Sequence, residues 1–218
     1  MGSLVSVNLA VPHPDGAGQR ELTGIDKHPT TDPVQVTAPP AKGMGGLAGD
    51  TVCSEIHHGG PDQAVYAYAR EDLDTWTGTL GRPLRHGTFG ENLTTEGIDV
   101  TGALLGERWR IGDEVELEVT YPRIPCRTFA EWMAERGWVK RFTAQATPGA
   151  YLRVLVPGRI RVGDPVTIVH RPEHDVTIGL TFRALTLHPE LLPRLFTAEP
   201  LPDKLRRSAL RRAGEREQ

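Results

Sequence analysis

The segment between Trp109 and Tyr121, W-R-I-G-D-E-V-E-L-E-V-T-Y, constrains the fold more than any other part of the sequence. Val115, Leu117 and Val119 alternate there with glutamates at the intervening positions. Successive side chains of a β-strand point to opposite faces, so this period of two indicates strands with one buried and one solvated face. The segment therefore predicts a sheet that covers an apolar core.

Other segments carry similar signals, and glycine and proline separate them. The chain has 24 glycines and 18 prolines, and the β-favouring runs between them predict short strands. Acidic residues after Arg70 and a glycine after Leu80 mark the two ends of a helix over residues 70–80. The further predicted strands are residues 4–9, 24–27, 34–36, 64–68, 149–156 and 160–170.

The character of the chain changes after Pro172. No β alternation follows, and short helical patterns lie between proline breaks, so we predict a small helical appendage over residues 172–218. Its last segment is basic, which we interpret as a solvated helix face; a nucleic-acid or partner surface is the alternative. The basic residues are Arg206, Arg207, Arg211 and Arg212.

Composition excludes several classes of function. A chain of 218 residues with 38% apolar content can bury a core, and its net charge of -3 gives no basic field for a nucleic acid polymer. No apolar run approaches the roughly 20 residues that span a bilayer. Residues 1–10 lack the basic start and apolar core of a signal peptide, so we expect a cytoplasmic protein with no membrane partner and no disulfide.

Cys126 follows a proline in the segment Y-P-R-I-P-C-R-T-F, between Arg123 and Arg127. Guanidinium groups near a cysteine favour the thiolate, which attacks electrophiles and binds soft metals. Apolar residues spaced by three and four follow, so we predict that the strand gives way to an amphipathic helix just after Cys126. A buried, inert cysteine is the alternative.

Two polar clusters could contribute to a site. In E-I-H-H-G-G-P-D-Q, His57 and His58 precede two glycines whose backbone could approach an anionic or polar ligand. Adjacent side chains on a strand point in opposite directions, so we expect one of these histidines to be structural. In G-T-F-G-E-N-L-T-T-E-G, Glu91 and Asn92 could present a carboxylate and an amide to a pocket, or they could hold a loop and cap a turn.

Other types of site have less support in the sequence. Cys53 has no basic neighbour and strand alternation would bury it, so we assign it to packing; a second thiol near the site is the alternative. Cys126 and the two histidines are acceptable zinc ligands, but no C-x-x-C spacing accompanies them. The sequence also lacks a phosphate-binding P-loop and the G-x-S-x-G motif of serine hydrolases.

The clusters occur together and in a fixed order: G-I-D-K-H-P, H-H-G-G-P-D-Q-A-V-Y-A-Y, F-G-E-N-L-T-T-E-G, W-R-I-G and P-R-I-P-C. This combination resembles the MOSC domain family, named for the C-terminal domain of molybdenum cofactor sulfurases, and its YiiM-like branch. The resemblance covers nearly the whole chain. It implies a mainly β fold with some α: a bent, β-barrel-like MOSC domain over residues 1–171, followed by a three-helix appendage over residues 172–218.

The resemblance also implies a cleft that holds a pterin-based molybdenum cofactor, molybdopterin. The cysteine of the P-x-x-P-C element is the protein ligand to molybdenum in that family, which maps onto Cys126 as metal ligand and catalytic residue. A thiolate suits such a soft metal. The cofactor's phosphate and pterin would contact cationic, polar and glycine positions, which are Lys27, His57, His58, Gly59, Gly60, Glu91, Asn92 and Arg123.

The implied activity is the reduction of N-hydroxylated small molecules such as hydroxylaminopurine bases, with electrons from a separate flavoprotein reductase. Two alternatives remain: a carrier that holds the cofactor or a persulfide without turnover, and a cofactor-independent thiol enzyme on the same fold. Three short helices bury little by themselves, so we expect the appendage to dock on the barrel or on a second subunit, and we expect a homodimer.

Overall fold

The structure is a computed structural model that describes residues 2–19, 21–53, 59–199 and 201–214. Its main sheet has eight strands and closes on itself, because the first strand along the chain pairs with the last strand along the chain. The ring is a 7-strand mixed β-barrel, which confirms the mainly β, barrel-like fold predicted from the sequence. Several helices cover it.

The strands of the described residues are short and follow the glycine and proline punctuation of the sequence. They are β1 (Gly2–Ala10), β2 (His13–Pro14), β3 (Leu22–Thr23), β4 (Lys27–Thr30), β5 (Val34–Val36), β6 (Val65–Ala69), β7 (Leu93–Glu96), β8 (Arg108–Ile111), β9 (Val115–Pro122), β10 (Ala150–Val156), β11 (Gly158–Ile160) and β12 (Pro165–His170).

The barrel order is β12, β8, β9, β10, β6, β7 and β1, and β1 pairs again with β12 to close the ring. Strand β4 extends the sheet from β1, while β2 with β3 and β5 with β11 form two small ribbons. Within the main sheet, β6 and β7 run parallel and the other pairs are antiparallel. A parallel pair needs a long crossover connection, which is usually a helix, between β6 and β7.

The alternating segment forms β8 and β9 as predicted. Val115, Leu117 and Val119 are all fully buried, while the intervening glutamates are exposed or half-buried. Leu117 lies opposite Trp109 of β8 and Val154 of β10, so the buried face continues across three strands. This face forms the apolar interior of the barrel.

The helices are α1 (Arg70–Leu80), α2 (Arg127–Met133), α3 (Trp138–Gln145), α4 (Ile178–Thr186), α5 (Leu192–Leu195) and α6 (Asp203–Gly214). The bounds of α1 are those predicted, and the helix provides the crossover from β6 to β7. Gly81 ends it at φ 65°, where its amide donates to the Thr77 carbonyl at 3.0 Å. None of these helices, within the described part of the chain, has the length and apolar character needed to cross a membrane.

A second apolar cluster lies outside the barrel and consists largely of aromatic rings. Phe129 of α2 packs edge-to-face on Phe89 and on Trp138 of α3, each with ring centroids 5.3 Å apart. Trp76 of α1 stacks on Phe142 with centroids 6.1 Å apart. Such pairs fix the relative positions of the elements that carry them, so this cluster holds α2 in place just after Cys126.

The helical tail packs on the barrel, one of the two arrangements expected. Ile178 of α4 and Leu205 of α6 are fully buried and belong to the same apolar core as Val119 and Leu152 of the barrel. The Tyr121 hydroxyl at the end of β9 also donates to Ser208 Oγ on α6 at 3.1 Å. Barrel and tail therefore share one hydrophobic core.

The predicted strand at residues 24–27 is wrong. Strand β3 ends at Thr23 and β4 begins at Lys27, and the residues between them are irregular. A Cβ at Gly24 would collide with the Thr51 carbonyl, so this stretch follows the neighbouring loop and not a ladder. The predicted strand at residues 160–170 is likewise interrupted, because Gly163, at φ 91°, turns the chain between β11 and β12.

Candidate functional site

A cavity opens beside the barrel, where α2, the residues before β4 and the loops around residues 50 and 90 meet. It encloses about 690 Å³ including its open mouth. Glycines, polar side chains and two cysteines line it, so it combines close backbone approach with groups that can hold a polar ligand. The lining residues used below are Lys27, Asp50, Cys53, Gly59, Gln63, Tyr66, Asn92, Arg123, Cys126 and Tyr151.

Cys126 lies at the junction of β9 and α2, as the sequence predicts. Its backbone is extended, with φ -125° and ψ 173°, and its carbonyl accepts the Ala130 amide at 3.0 Å as the helix begins. The side chain makes no capping hydrogen bond and is half-buried in the cavity wall. The thiol is therefore held on rigid backbone and faces the cavity.

The two arginines near Cys126 differ in position. Arg127 is exposed, whereas Arg123 is buried, lines the cavity and donates to the Phe89 carbonyl. Its guanidinium carbon lies 3.7 Å from the centroid of the Phe129 ring and 5.4 Å from that of Tyr66. This stacking fixes the orientation of the cation.

The charge of Arg123 acts on the phenols of Tyr66 and Tyr151. Burial raises the pKa of both tyrosines, so they remain neutral at physiological pH and do not balance the cation. No carboxylate of the described residues forms an ion pair with Arg123. An uncompensated cation in a cavity wall favours an anionic ligand.

Lys27, at the start of β4, also reaches the cavity, where it meets a carboxylate that the sequence analysis missed. Its ammonium lies 2.6 and 2.7 Å from the two oxygens of Asp50, and the two side chains are only 8% and 3% exposed. Asp50 also accepts the Ala10 amide and the Asn92 side-chain amide, each at 2.8 Å. Asp50 follows a glycine-rich loop, and no sequence spacing connects it to Lys27.

The two neighbours Glu91 and Asn92 take different roles. Asn92 lines the cavity, and its side-chain oxygen accepts the Tyr66 amide at 3.2 Å. Glu91 is fully buried away from the cavity lining, and its carboxylate accepts the Gly87 and Phe89 amides at 2.6 and 3.0 Å. Glu91 therefore holds its own loop in place, which is one of the two roles that the sequence left open for this residue.

The glycine pair separates two clefts. Gly59 lines the cavity at φ 69°, and a Cβ there would lie 2.6 Å from the Met44 carbonyl. Gly60, at φ 90°, lines a smaller neighbouring cleft and not the main cavity. The predicted ligands His57 and His58 lie outside the described residues.

The assignment of Cys53 to packing is wrong, because Cys53 is half-buried and lines the same cavity as Cys126. Residues 51–53 are not in a strand, so the alternation that would have buried Cys53 does not exist. Within the described ranges, no group of three or more His, Cys, Asp and Glu side chains could hold a metal ion. Cys126 could be a single protein ligand to a metal that brings its other ligands with it.

The donor set fits an anionic metal cofactor of that kind. Cys126 offers a thiol for a soft metal and Arg123 a cation that no described carboxylate pairs, while Asn92 and Lys27, the latter paired with Asp50, add polar groups to the same wall. Gly59 keeps its part of the wall thin, because the Met44 backbone occupies the place that a Cβ would take.

Comparisons with known proteins identify relatives of this chain. YflK of Bacillus subtilis (strain 168) is 32% identical over 182 residues, which cover 83% of this chain and 79% of YflK. A protein of Gibberella moniliformis named "Reductase" is 32% identical over 130 residues, but the match spans only 23% of its length. The crystal structure of YiiM from Geobacillus stearothermophilus superposes with a TM-score of 0.78 at 26% identity, covering 97% of this chain and 99% of that one. The sequence model of the MOSC domain matches residues 54–167, and the chain therefore belongs to the MOSC domain family.

Proposed function

We propose that this protein is a molybdenum-cofactor-dependent oxidoreductase that reduces N-hydroxylated compounds of the hydroxylaminopurine type. Cys126 is its ligand to molybdenum. Family membership and the name of the Gibberella relative support an oxidoreductase. The cofactor and the substrate are inferred from the chemistry of the cavity wall and from the YiiM-like resemblance.

The observation that carries this proposal is the juxtaposition of Cys126 with Arg123. A half-buried thiol faces a cavity beside a buried guanidinium that no described carboxylate neutralises. Burying an unpaired cation costs free energy, which an anionic ligand would recover. The site is therefore complementary to a molecule with both a soft metal and negative charge.

Each polar group has a separate task in binding. Arg123, held by stacking on Phe129, orients a negatively charged part of the cofactor, and Asn92, whose amide bonds Asp50 and the Tyr66 backbone, forms part of the wall beside it. Lys27 is held by Asp50, so its ammonium has a fixed position before any ligand arrives. Cys126 fixes the metal end, because the start of α2 immobilises its backbone.

When bound, the cofactor would supply the two-electron chemistry that breaks the N–O bond. The substrate R-NH-OH takes up two electrons and two protons and gives R-NH2 and water. A separate flavoprotein reductase supplies the electrons. The protein orients the substrate in the cavity, where the Tyr151 hydroxyl, kept neutral because burial raises the pKa of this side chain, can donate a hydrogen bond.

The test compares the two cavity thiols in protein purified from a cofactor-producing host. Cys126→Ala should lose bound molybdenum and pterin and lose reduction of 6-hydroxylaminopurine by a reconstituted reductase system. Circular dichroism should show an unchanged fold, because the side chain is only half-buried. Stoichiometric molybdenum in Cys126→Ala, or its loss in Cys53→Ala alone, would show that Cys126 is not the ligand.

A carrier of the cofactor or of a persulfide is the second candidate function, and one observation favours it. Cys53 lines the cavity together with Cys126, so sulfur could pass between two thiols. Mass spectrometry would then find one additional sulfur atom on Cys126 of the purified protein, and the reconstituted reductase assay would show no turnover.

A further inference from the structure

A second, smaller cleft lies where the barrel meets the helical tail, and three cationic side chains surround it. Lys42 comes from the loop after β5, and Lys204 and Arg207 come from the first turns of α6. The cleft encloses about 360 Å³ including its opening. Residues 59–63, with the glycine pair, form its floor.

Lys204 is the most constrained of the three cations. Its ammonium donates to the side-chain oxygen of Gln63 and lies 5.3 Å from the centroid of the Tyr121 ring. Burial, and then the like charges of Lys42 and Arg207, lower the pKa of this side chain to about 8. The charges of Lys42 and Arg207 therefore lie close enough to repel that of Lys204, and an anion between them would relieve that repulsion.

One carboxylate among the lining residues, that of Asp62, balances only part of the charge of this cluster. Asp62 lines the cleft, but its Oδ1 accepts two hydrogen bonds from Arg153, at 3.0 Å from Nε and 2.5 Å from Nη2. Arg153 also pairs with Glu118 at 3.2 Å. Asp62 is thus shared with a neighbouring ion-pair network, and the side chains that line the cleft include three cations and one carboxylate.

The cleft and the Cys126 cavity share a wall. Gly59 and the buried Gln63 line both. Neither Cys126, Lys27 nor Arg123 lines the smaller cleft, so its cations are distinct from those assigned to the cofactor. A molecule that extends across the wall formed by Gly59 and Gln63 would place its reactive end in the cavity and an anionic end in the cleft.

We propose that the Lys42, Lys204 and Arg207 cleft binds a phosphate group of the substrate, so that the preferred substrates are phosphorylated N-hydroxylated compounds such as nucleoside monophosphates. This inference rests on the proposed function for the identity of the reactive end. Lys and Arg side chains on two separate elements can surround a dianion from several sides, which a single exposed lysine cannot do. The helical tail then contributes to substrate choice.

The first experiment needs neither cofactor nor turnover. Trace acetylation at about pH 8, read by peptide mass spectrometry, reports the reactivity of Lys204, because its lowered pKa makes the amine nucleophilic there. Inorganic phosphate should slow acetylation of Lys204 several-fold relative to Lys140, an exposed lysine on α3 that serves as internal reference. Arg207→Gln should remove the protection. Equal rates with and without phosphate would overturn the anion site.

The second experiment identifies the molecule that carries the phosphate. In cofactor-loaded enzyme, Lys204→Gln should raise KM for an N-hydroxylated nucleoside monophosphate about tenfold, the effect expected for one charge-assisted contact, and leave KM for the free nucleoside unchanged. Arg211→Gln on the same helix does not line the cleft and should change neither value. Arg207→Gln provides a second variant if Lys204→Gln folds poorly.

The remaining outcomes separate the two proposals. Equal KM increases for nucleotide and nucleoside would overturn the phosphate assignment. Loss of molybdenum and pterin from Lys204→Gln would also overturn it, because the cleft would then hold the cofactor. If phosphate protects Lys204 while neither the nucleotide nor the nucleoside is reduced, the result supports the anion site and contradicts the proposed reductase activity.

Discussion

The ammonium nitrogen of Lys27 lies 2.6 Å from Oδ1 of Asp50, and both side chains are buried in the wall of the Cys126 cavity. The same carboxylate receives the side-chain amide of Asn92 and the backbone amide of Ala10. One acidic residue thus positions two of the groups assigned to the cofactor. Removal of one partner from a buried ion pair leaves the other charge unpaired, which costs more than the loss of the pair itself.

We therefore expect Asp50→Asn to lower the free energy of unfolding by about 3 kcal/mol, as measured by urea denaturation. The double variant Lys27→Met/Asp50→Asn should recover part of this loss, because it removes the unpaired ammonium as well. Asp32→Asn, on an exposed loop, should change stability by less than about 0.5 kcal/mol. Additive effects of the two single changes would contradict a direct ion pair.

Arg123 should matter more for ligand binding than for the fold. Replacement by methionine keeps an apolar stem over Phe129 and removes a buried charge that no described carboxylate balances. We expect Arg123→Met to unfold within about 1 kcal/mol of the unaltered protein, since the lost hydrogen bond and the relieved desolvation offset each other. Molybdenum and pterin content should fall at least severalfold.

The matched control for Arg123→Met is Arg127→Met, which removes an exposed guanidinium from the other side of Cys126. It should leave cofactor content unchanged. Equal losses of cofactor from the two variants would show that overall positive charge near Cys126, and not the stacked Arg123, attracts the ligand.

We expect Glu91 to stabilise the folded protein. Its carboxylate accepts two loop amides and the Thr94 hydroxyl, the last at 3.0 Å, so truncation leaves buried donors without partners. We expect Glu91→Ala to lower the free energy of unfolding by about 3 kcal/mol, and Glu91→Gln to have a smaller effect because the amide keeps one acceptor. Glu96→Ala, exposed on β7, is the control. Full stability of Glu91→Ala would argue against the pinning role.

Asp72 on α1 should make stability depend on pH in the acidic range. Burial, followed by repulsion from Asp99 and Glu71, raises the pKa of this carboxyl from 3.8 to about 6. Between pH 3.8 and about 6, Asp72 is therefore protonated in the folded state and ionised in the unfolded chain. The contribution of Asp72 to stability consequently falls as pH rises through this range.

Asp72→Asn removes this titration and should raise the free energy of unfolding at pH 7 by about 1 kcal/mol, with the gain disappearing below the unfolded-state pKa. Urea denaturation at several pH values measures both quantities. The same gain at acidic and neutral pH would show that the substitution acts through packing and not through charge.

Local periodicity was sufficient to predict much of the fold. The alternation through Val115, Leu117 and Val119 defines a buried face because one residue in two must meet the core. The helix Arg70–Leu80 has its acids, its apolar stripe and its terminal glycine within one short segment. At Gly24, the backbone conformation is determined by close approach to the backbone of Thr51, which is distant in sequence. The sequence around Gly24 therefore carried no local signal of it.

The same distinction applies to the site. The placement of Cys126 at a strand-to-helix junction depends on its immediate neighbours, and the sequence predicted it. The role of Asp50 depends on Lys27 and Asn92, which lie on other elements, so no pattern within its own segment could indicate it. Cys53 was misassigned for a related reason, since its exposure to the cavity follows from a loop and not from a strand.

The pairing of β1 with β12 brings Gly2 opposite Val166, across most of the length of the chain. Joining segments so distant in sequence carries a loop-closure entropy, and folds rich in such contacts form slowly. During synthesis on the ribosome, the ring can close only after β12 has been made. The residues that line the Cys126 cavity end at Tyr151 of β10, so the chain that forms this cavity is synthesised before the strand that closes the ring.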